Sequence, residues 1–483
     1  MGMSKVPEGL SRADVCGGTE WIGEELAASA LSDARLSKRL RHLVEQMGSG
    51  LGRSIPLACQ DWASTKAAYR FLSNEHVTEE QILAGHFEST RARLPAAGFP
   101  VLVLHDTTEF SYRREDVDAV GLVAKGSTRK DEQGRRVYFT TCGLCLHSSL
   151  VLTVEGLPLG LAAAKFWSRE SFQGPGARRR AHNAPIEEKE SLRWVENLRH
   201  ATALLGRPDG LVHVGDRESD IFDLFAVARQ LETHFLVRTR ADRLADGGPA
   251  TVAEAVSQSP CQGLYRIMVR NRQGHNREAA LEIRYRRMHL RTSRAKPKRY
   301  PEQTVTVIEA REPQAPSDRD RIDWKLVTDL TVGSLDQAVE KVQWYALRWK
   351  IEVFHKVLKS GCRAEDSRLR TASRLTNLLA VFCILAWRVF WLTMIHRTAP
   401  EAGQQVVFTE LELRILDRLI KDKPTARPPT PTLSHYLIKL ARLGGYLARN
   451  SDPPPGNETI WKGLARLIDI QLGVMIAAEL VGN

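Results

Sequence analysis

No apolar run in this 483-residue chain is long enough by itself to cross a bilayer. The most apolar stretch, Leu378 to Ile395, keeps ten uninterrupted residues before Arg388, whereas a spanning helix needs about 20. It reads as a buried helix, and no membrane partner is expected. The opening MGMSKVPEGL lacks the apolar core of a secretory leader, and Val6 stands where a myristoylation motif needs Ser or Thr. A cytoplasmic location is the expectation. Cysteine is scarce too: the seven form an odd, scattered set, which argues against a disulfide framework and fits a reducing compartment. Only Cys142 and Cys145 are close, and no second C-x-x-C or paired His motif completes a zinc site. The run around them, VYFTTCGLCLHSSLVLT, has the pattern of a strand, so they read as packing cysteines. No internal repeat or low-complexity tract interrupts the chain.

What is present is ordinary globular material, 43% hydrophobic and 26% charged, of a length that suits about two to four domains. The formal charge of +12 favours a polyanionic partner, because each phosphate neutralised by Lys or Arg releases condensed counterions. The surplus is concentrated: from Leu264 to Arg299, twelve Lys and Arg stand against two Glu.

From Trp21 to about Leu94 the pattern is helical, with Ser32 and Asp33 as capping candidates and Thr78 and Gln81 as a capping box. Arg35, Lys38 and Arg39 on one segment, and Lys66 and Arg70 on another, could track a phosphate backbone or form a solvated face. The period then changes. PVLVLHD, ending in Asp106, is a short apolar run that reads as a strand buried on both faces. Two β-like runs follow, Val137 to Thr153 and Leu157 to Trp167. A helical segment, Glu187 to Leu205, leads to a second buried strand, LVHVGD, ending in Asp216. A helix from Ser219 and the strand HFLVRTR continue a mixed α/β sheet. The stretch 241–323 breaks the rhythm, yet LEIRYRRM alternates and TVTVIEA is β-prone, so it reads as a β insertion. WKLVTDL restores the sheet, Ser334 opens a long helix to about Lys359, and the rest is helical around the loops PTARPPTPT and DPPPG.

Asp106 and Asp216 both end predicted buried strands, where open α/β sheets place their ligands. Carboxylates crowded in a partly dry site repel, and a hard divalent cation is the usual way to keep them ionised. A single acid at a strand end is more often a cap. The helix WYALRWKIEVFHKVLKSG supplies a third acid. At about 100° per residue, Tyr345, Arg348, Glu352 and Lys359 share a stripe about 60° wide, while Leu347, Ile351, Phe354, Val357 and Leu358 face the other way. Alone, this is also the pattern of an amphipathic helix with a solvated face.

The ordered set is more specific. Y-x2-R-x3-E-x6-K, preceded by HDTTEFSYR and VGDRESDIF, resembles the DDE/YREK pattern of the insertion-sequence-four transposase family. WIGEELAASALSDARLSKRL, STKAAYRFL and ARLGGYLARN are similar to that family as well, so the likeness runs through most of the chain. It implies a ribonuclease H-like catalytic domain over residues 96–365 with a β insertion at about 241–323. An N-terminal helical DNA-binding domain would occupy 1–95, and an all-helical dimerisation domain 366–483. It assigns Asp106, Asp216 and Glu352 to a triad holding two Mg²⁺ ions, with Mn²⁺ able to substitute. Tyr345, Arg348 and Lys359 would grip phosphates of the non-transferred strand, and Trp324 would stack on a base flipped from a hairpin intermediate. Arg35, Arg39 and Arg70 become candidate contacts to the terminal inverted repeat. The implied partners are transposon-end and target DNA and a second copy of the chain, in a bacterial cell and at its nucleoid. For the C-terminal helices the likeness is weaker, and the PPP insert near Pro454 alters a loop there.

Two other readings compete. VLVLHDTT and GDRESD fit the nucleophile strand and acid motif of a haloacid dehalogenase-like phosphatase, but Thr108 stands where that chemistry needs a second Asp. That reading also leaves the Tyr345 to Lys359 stripe without a role. A catalytically silent regulator of transposition would keep the fold, but all three acids and the cationic set are present here.

Overall fold

The structure, a computed structural model, describes residues 20–29, 31–114, 116–130, 136–170, 184–246, 248, 250–270, 272–273, 275–290, 300–422 and 432–481. The opening segment with Val6, the basic end of the insertion (291–299) and nearly all of PTARPPTPT lie outside the described residues.

Six helices come first: α1 (Glu20–Glu25), α2 (Ala34–Ser49), α3 (Ile55–Cys59), α4 (Trp62–Leu72), α5 (Glu79–Ala92) and α6 (Leu94–Ala97). Their starts follow cap chemistry. Asp33, not Ser32, caps α2 by accepting the Arg35 N–H at 2.7 Å, Asp61 caps α4 through Ser64, and Thr78 with Gln81 forms the expected capping box. Leu40, Leu43, Val44 and Met47 of α2 and Ala68, Phe71 and Leu72 of α4 are buried in the apolar core. The polar faces, with Arg35, Lys38, Lys66 and Arg70, are left exposed.

Ten strands form one mixed sheet: β1 (Val101–Ser111), β2 (Leu122–Lys130), β3 (Arg136–Thr153), β4 (Pro158–Trp167), β5 (Leu211–Gly215), β6 (His234–Arg238), β7 (Gly263–Arg270), β8 (Asn276–Leu290), β9 (Gln303–Arg311) and β10 (Asp323–Thr328). The order is β2-β3-β1-β5-β6-β10-β9-β8-β7, with β4 also on β3. Strands β1, β5 and β6 are parallel, and the other pairings are antiparallel. The insertion therefore does not form a separate β unit. Through β9 it pairs with β10 and lengthens the main sheet, which satisfies the backbone of strands that carry only one apolar face. A short helix within it, α9 (Val252–Ser257), breaks the all-β expectation; Thr251 and Glu254 supply its capping box. Strand β2 is a further element the sequence reading missed.

Each face of the sheet is covered. Alternation along β1 sends Val101 and Val103 towards α7 (Leu192–Leu205), and Leu102 and Leu104 into the core shared with the C-terminal helices. Burying each of these side chains contributes about 1.5 to 3 kcal/mol. Helix α8 (Phe222–Gln230) joins the α7 side, its Phe225 stacked on Phe235. The opposite side carries α10 (Leu335–Ala346), α11 (Trp349–Lys356) and α12 (Ala372–Thr398), with α13 (Glu410–Leu419), α14 (Leu433–Leu443) and α15 (Asn457–Val481) beyond. At 27 residues, α12 is longer than its apolar run implied. It is long and apolar enough to cross a membrane, but that window is wholly buried in the fold. Arg388 is accommodated there by the rings of Trp21 and Trp391, 5.2 and 4.7 Å from its guanidinium carbon. Cys142 and Cys145 are buried free thiols of β3, and their spacing of three places them on opposite faces of the strand.

Candidate active site

The parallel register of β1 and β5 runs to the pair Leu104 and Val214, so two residues further on Asp106, within β1, stands beside Asp216, the first residue past β5. Both keep the phase of Leu104 and Val214 and face the side covered by α10 to α12. Gly215 makes the tight exit after β5 possible: a Cβ there would lie 2.2 Å from Ser219 Oγ and 3.2 Å from the Trp194 ring. The chain then folds into a 3₁₀ turn, Arg217–Ser219, and the Glu218 N–H caps Asp216 Oδ1 at 2.8 Å. On the other strand, Asp106 Oδ1 accepts the Thr107 N–H at 2.9 Å.

The expected continuous helix to Lys359 is three pieces. It breaks at Leu347 and Arg348, where tighter bonds such as Arg348 N to Tyr345 O replace the α pattern, and ends in a π turn, Val357–Gly361. Ile351, Phe354, Val357 and Leu358 are buried as expected, and they anchor α11 with Glu352 on the side of the cluster, where its charge acts on the Asp106 carboxyl. Arg348 links the acids. Its guanidinium lies 2.6 Å from Glu352 Oε1 and 3.8 Å from Asp106 Oδ2. His355 Nδ1 is 3.9 Å from Asp106 Oδ2, while its Nε2 shares a 2.8 Å hydrogen bond with Ser148 Oγ.

Charge confirms the crowding. Burial pushes the Asp106 carboxyl up to about 7, and Asp216 and Glu352 push it further in the same direction against Arg348 and the Thr107 N–H. Burial, with Lys359, pulls His355 down to about 3, so it is neutral. The donor set is three hard carboxylates, suited to Mg²⁺ or Mn²⁺. Among the described residues no three His, Cys, Asp or Glu side chains stand close enough to share an ion; Glu352 is turned onto Arg348.

The remaining residues named from the sequence divide. Tyr345 is buried, not displayed on an open stripe; burial pushes its hydroxyl up, against the nearby charges of Arg348 and Arg238. Trp324 is half-buried with its ring edge-on to Tyr345. The Lys359 ammonium lies 5.7 Å from the Phe110 ring centroid. Arg35, Arg39 and Arg70 sit on α2 and α4, outside this cluster. The sequence reading missed Arg238, Arg217 and Lys325, which with Arg240 and Arg321 line a cavity of about 470 Å³ beside the cluster. It missed Trp349 as well, 63% exposed at the start of α11. His355 could have been found, since it lies three residues after Glu352 on the same helical side. The cavity could not, because its cations come from three separate segments.

Three family models match the chain. Residues 18–77 match the transposase DNA-binding family, residues 194–387 the transposase DDE domain, and residues 384–479 the transposase Tn5 dimerisation domain. The DDE match contains Asp216 and Glu352 and begins beyond Asp106, which joins them through the strand register. A ribonuclease H-like fold, a DNA-binding region before it and a dimerisation region after it thus stand in one chain. This protein belongs to the insertion-sequence-four family of Tn5-like DDE transposases, enzymes that use divalent metal to cut DNA and transfer its strands.

Proposed function

We propose that Asp106, Asp216 and Glu352 are the metal ligands of this transposase, and that it excises its element through a DNA hairpin. The observation that carries the reading is the placement of Asp106 beside Asp216 by the β1–β5 register, with Glu352 and Asp216 both acting on the Asp106 carboxyl. Two Mg²⁺ ions, when bound, lower the pKa of an attacking water and stabilise the leaving oxygen of an in-line displacement. A rotation of the Glu352 side chain away from Arg348 brings its carboxylate to the aspartates. Arg348 is then free to turn its planar fork to a phosphodiester, and Lys359 adds a point charge. The basic cavity of Arg217, Arg238 and Lys325 opens beside the aspartates and suits a strand leaving the site.

In this reading water first cuts the transferred strand, and the freed 3′-hydroxyl attacks the opposite strand to form a hairpin. Opening of the hairpin leaves a blunt end, whose 3′-hydroxyl attacks target DNA. Arg35, Arg39 and Arg70 contact the inverted repeat, and two copies of the chain pair two ends in one synaptic complex. The residue ranges 1–95, 96–365 and 366–483 serve as the corresponding domains.

The test is direct. Asp106→Ala, Asp216→Ala and Glu352→Ala should each abolish end cleavage in Mg²⁺ and leave end binding in Ca²⁺ largely intact, since the acids hold metal and not DNA. Full cleavage by any one of them removes that residue from the triad.

A further inference from the structure

A single guanidinium ties β1 beside Asp106 to the turn that follows Asp216. Arg193, on α7, donates from Nε to Thr107 Oγ1 at 3.1 Å and from Nη2 to Glu218 Oε2 at 2.8 Å. These two partners are the residues that orient the acids: the Thr107 N–H is bonded to Asp106 Oδ1, and the Glu218 N–H to Asp216 Oδ1. A third bond, from Nη1 to the Glu190 carbonyl at 2.9 Å, fixes the fork to the turn that leads into its helix. The side chain is only 11% exposed, and the rings of Trp167 and Trp194 lie 5.3 and 5.9 Å from its guanidinium carbon. Thr107 Oγ1 also shares a 2.9 Å hydrogen bond with His147 Nδ1, so the hydroxyl is held from both sides.

We propose that Arg193 is a positioning residue that sets the separation of Asp106 and Asp216 for ion binding. The proposal rests on the reading that both aspartates are metal ligands. The Arg193 bonds run to the neighbours of the acids, so it acts through them and is not itself catalytic. Partners that orient metal ligands typically change metal affinity by about tenfold to a hundredfold when removed. The rigid, planar fork is what allows one side chain to fix a strand and a turn at a set distance; a lysine ammonium on a flexible stem reaches one of them.

The experiment titrates Mn²⁺ into the full-length protein, following the free ion by electron paramagnetic resonance, and measures end cleavage as a function of Mg²⁺. Arg193→Met should weaken Mn²⁺ binding by about tenfold to a hundredfold and raise the Mg²⁺ concentration for half-maximal cleavage by a similar factor. Saturating Mg²⁺ should recover most of the rate, and Arg193→Lys should fall between. A purely structural role would lower the rate without moving the ion half-saturation. Thr107→Val with Glu218→Met removes both acceptors, leaves Arg193 in place, and should reproduce the shift; it decides the question if Arg193→Met does not fold. Unchanged Mn²⁺ binding in that folded double variant overturns the proposal. If Asp106→Ala and Asp216→Ala leave Mn²⁺ binding intact, the ligand reading itself has failed, and the proposal falls with it.

Discussion

Arg348 and Glu352 stand one helical turn apart, joined at 2.6 Å, and the same guanidinium reaches Asp106 at 3.8 Å. Burial pulls this arginine down, but the bond to Glu352, with Tyr345 and Asp106 nearby, holds it above its ordinary value. It is therefore a permanent cation placed between two carboxylates and available to a phosphate.

Arg348→Ala should slow nicking of end DNA by about 10²- to 10³-fold, the usual effect of removing one placed electrostatic donor. Arg348→Lys keeps the charge and loses the fork, so its rate should lie between. Single-turnover nicking at saturating protein separates this from weaker binding. A near-normal rate for Arg348→Ala would leave the guanidinium a structural counter-charge for Glu352.

In the N-terminal helices some cations hold the fold together, as Arg93 does on Trp387 and Glu25, and others face solvent. Arg35 and Arg70 are exposed at opposite ends of α2 and α4, and Arg39 is half-buried. Alanine at each should lower the log–log salt slope of end binding by about one if the lost contact is to phosphate. Loss of a base contact should instead relax sequence preference by about 1 to 3 kcal/mol. Binding isotherms at several salt concentrations, with end and scrambled DNA, distinguish the two. If all three variants bind as the parent does, the end is read by another face of this region.

Much of this was legible in the residues. An apolar run closed by an acid singled out Asp106 and Asp216, although only Asp216 stands at a strand end: β1 runs on to Ser111 because β3 goes on pairing with it, which leaves Asp106 inside the strand. The spacing of Arg348, Glu352 and Lys359 placed the third acid among cations. Strand pairing was not legible. Alternation in LEIRYRRM marks a strand without naming its neighbour, so the insertion's place at the end of the main sheet emerged only from the β9–β10 register. The break at Leu347 and Arg348 was equally hidden, because neither residue is Gly or Pro and nothing local demands an end to the helix. Tyr345 was misjudged for the same reason. Ideal helical phase puts it on a polar stripe, whereas the break turns it under Trp324.

One pair gives a pH dependence away from the carboxylate cluster. His234 Nδ1 lies 2.7 Å from Asp329 Oδ2, and Asp329 Oδ1 accepts the Phe235 N–H. The bond to Asp329 raises His234 above its ordinary value, against burial. A raised pKa means that the pair's stabilisation is complete below the unfolded histidine value of about 6.5 and is lost as pH rises through the folded value. Asp329→Asn keeps an acceptor for Phe235 and removes the charge. It should cost about 1.5 to 3 kcal/mol, typical of a hydrogen bond to a charged group, below pH 6 and distinctly less at high pH. Chemical denaturation at two pH values measures the gap; an equal gap at both means that His234 is neutral throughout.

Trp324 separates the hairpin route from simple nicking. It is the second residue of β10, half-buried, with its ring 5.3 Å from that of Tyr345 at 71°. Its neighbours Asp323 and Lys325 line the basic cavity, and alternation along β10 turns the indole to the other face, onto Tyr345 of α10. Stacking a base on an aromatic side chain contributes about 1 to 3 kcal/mol, worth about one to two orders of magnitude in the rate of a step that needs the base flipped. Trp324→Ala should nick the first strand at a near-normal rate and then accumulate nicked product with few hairpins, and Trp324→Phe should recover part of the second step. Because Tyr345 would lose its packing partner, circular dichroism and thermal unfolding of each variant must show a native fold. Denaturing gels of labelled end DNA over time then decide. If nicking and hairpin formation fall together in a folded variant, Trp324 supports Tyr345 as a packing residue and does not hold a base.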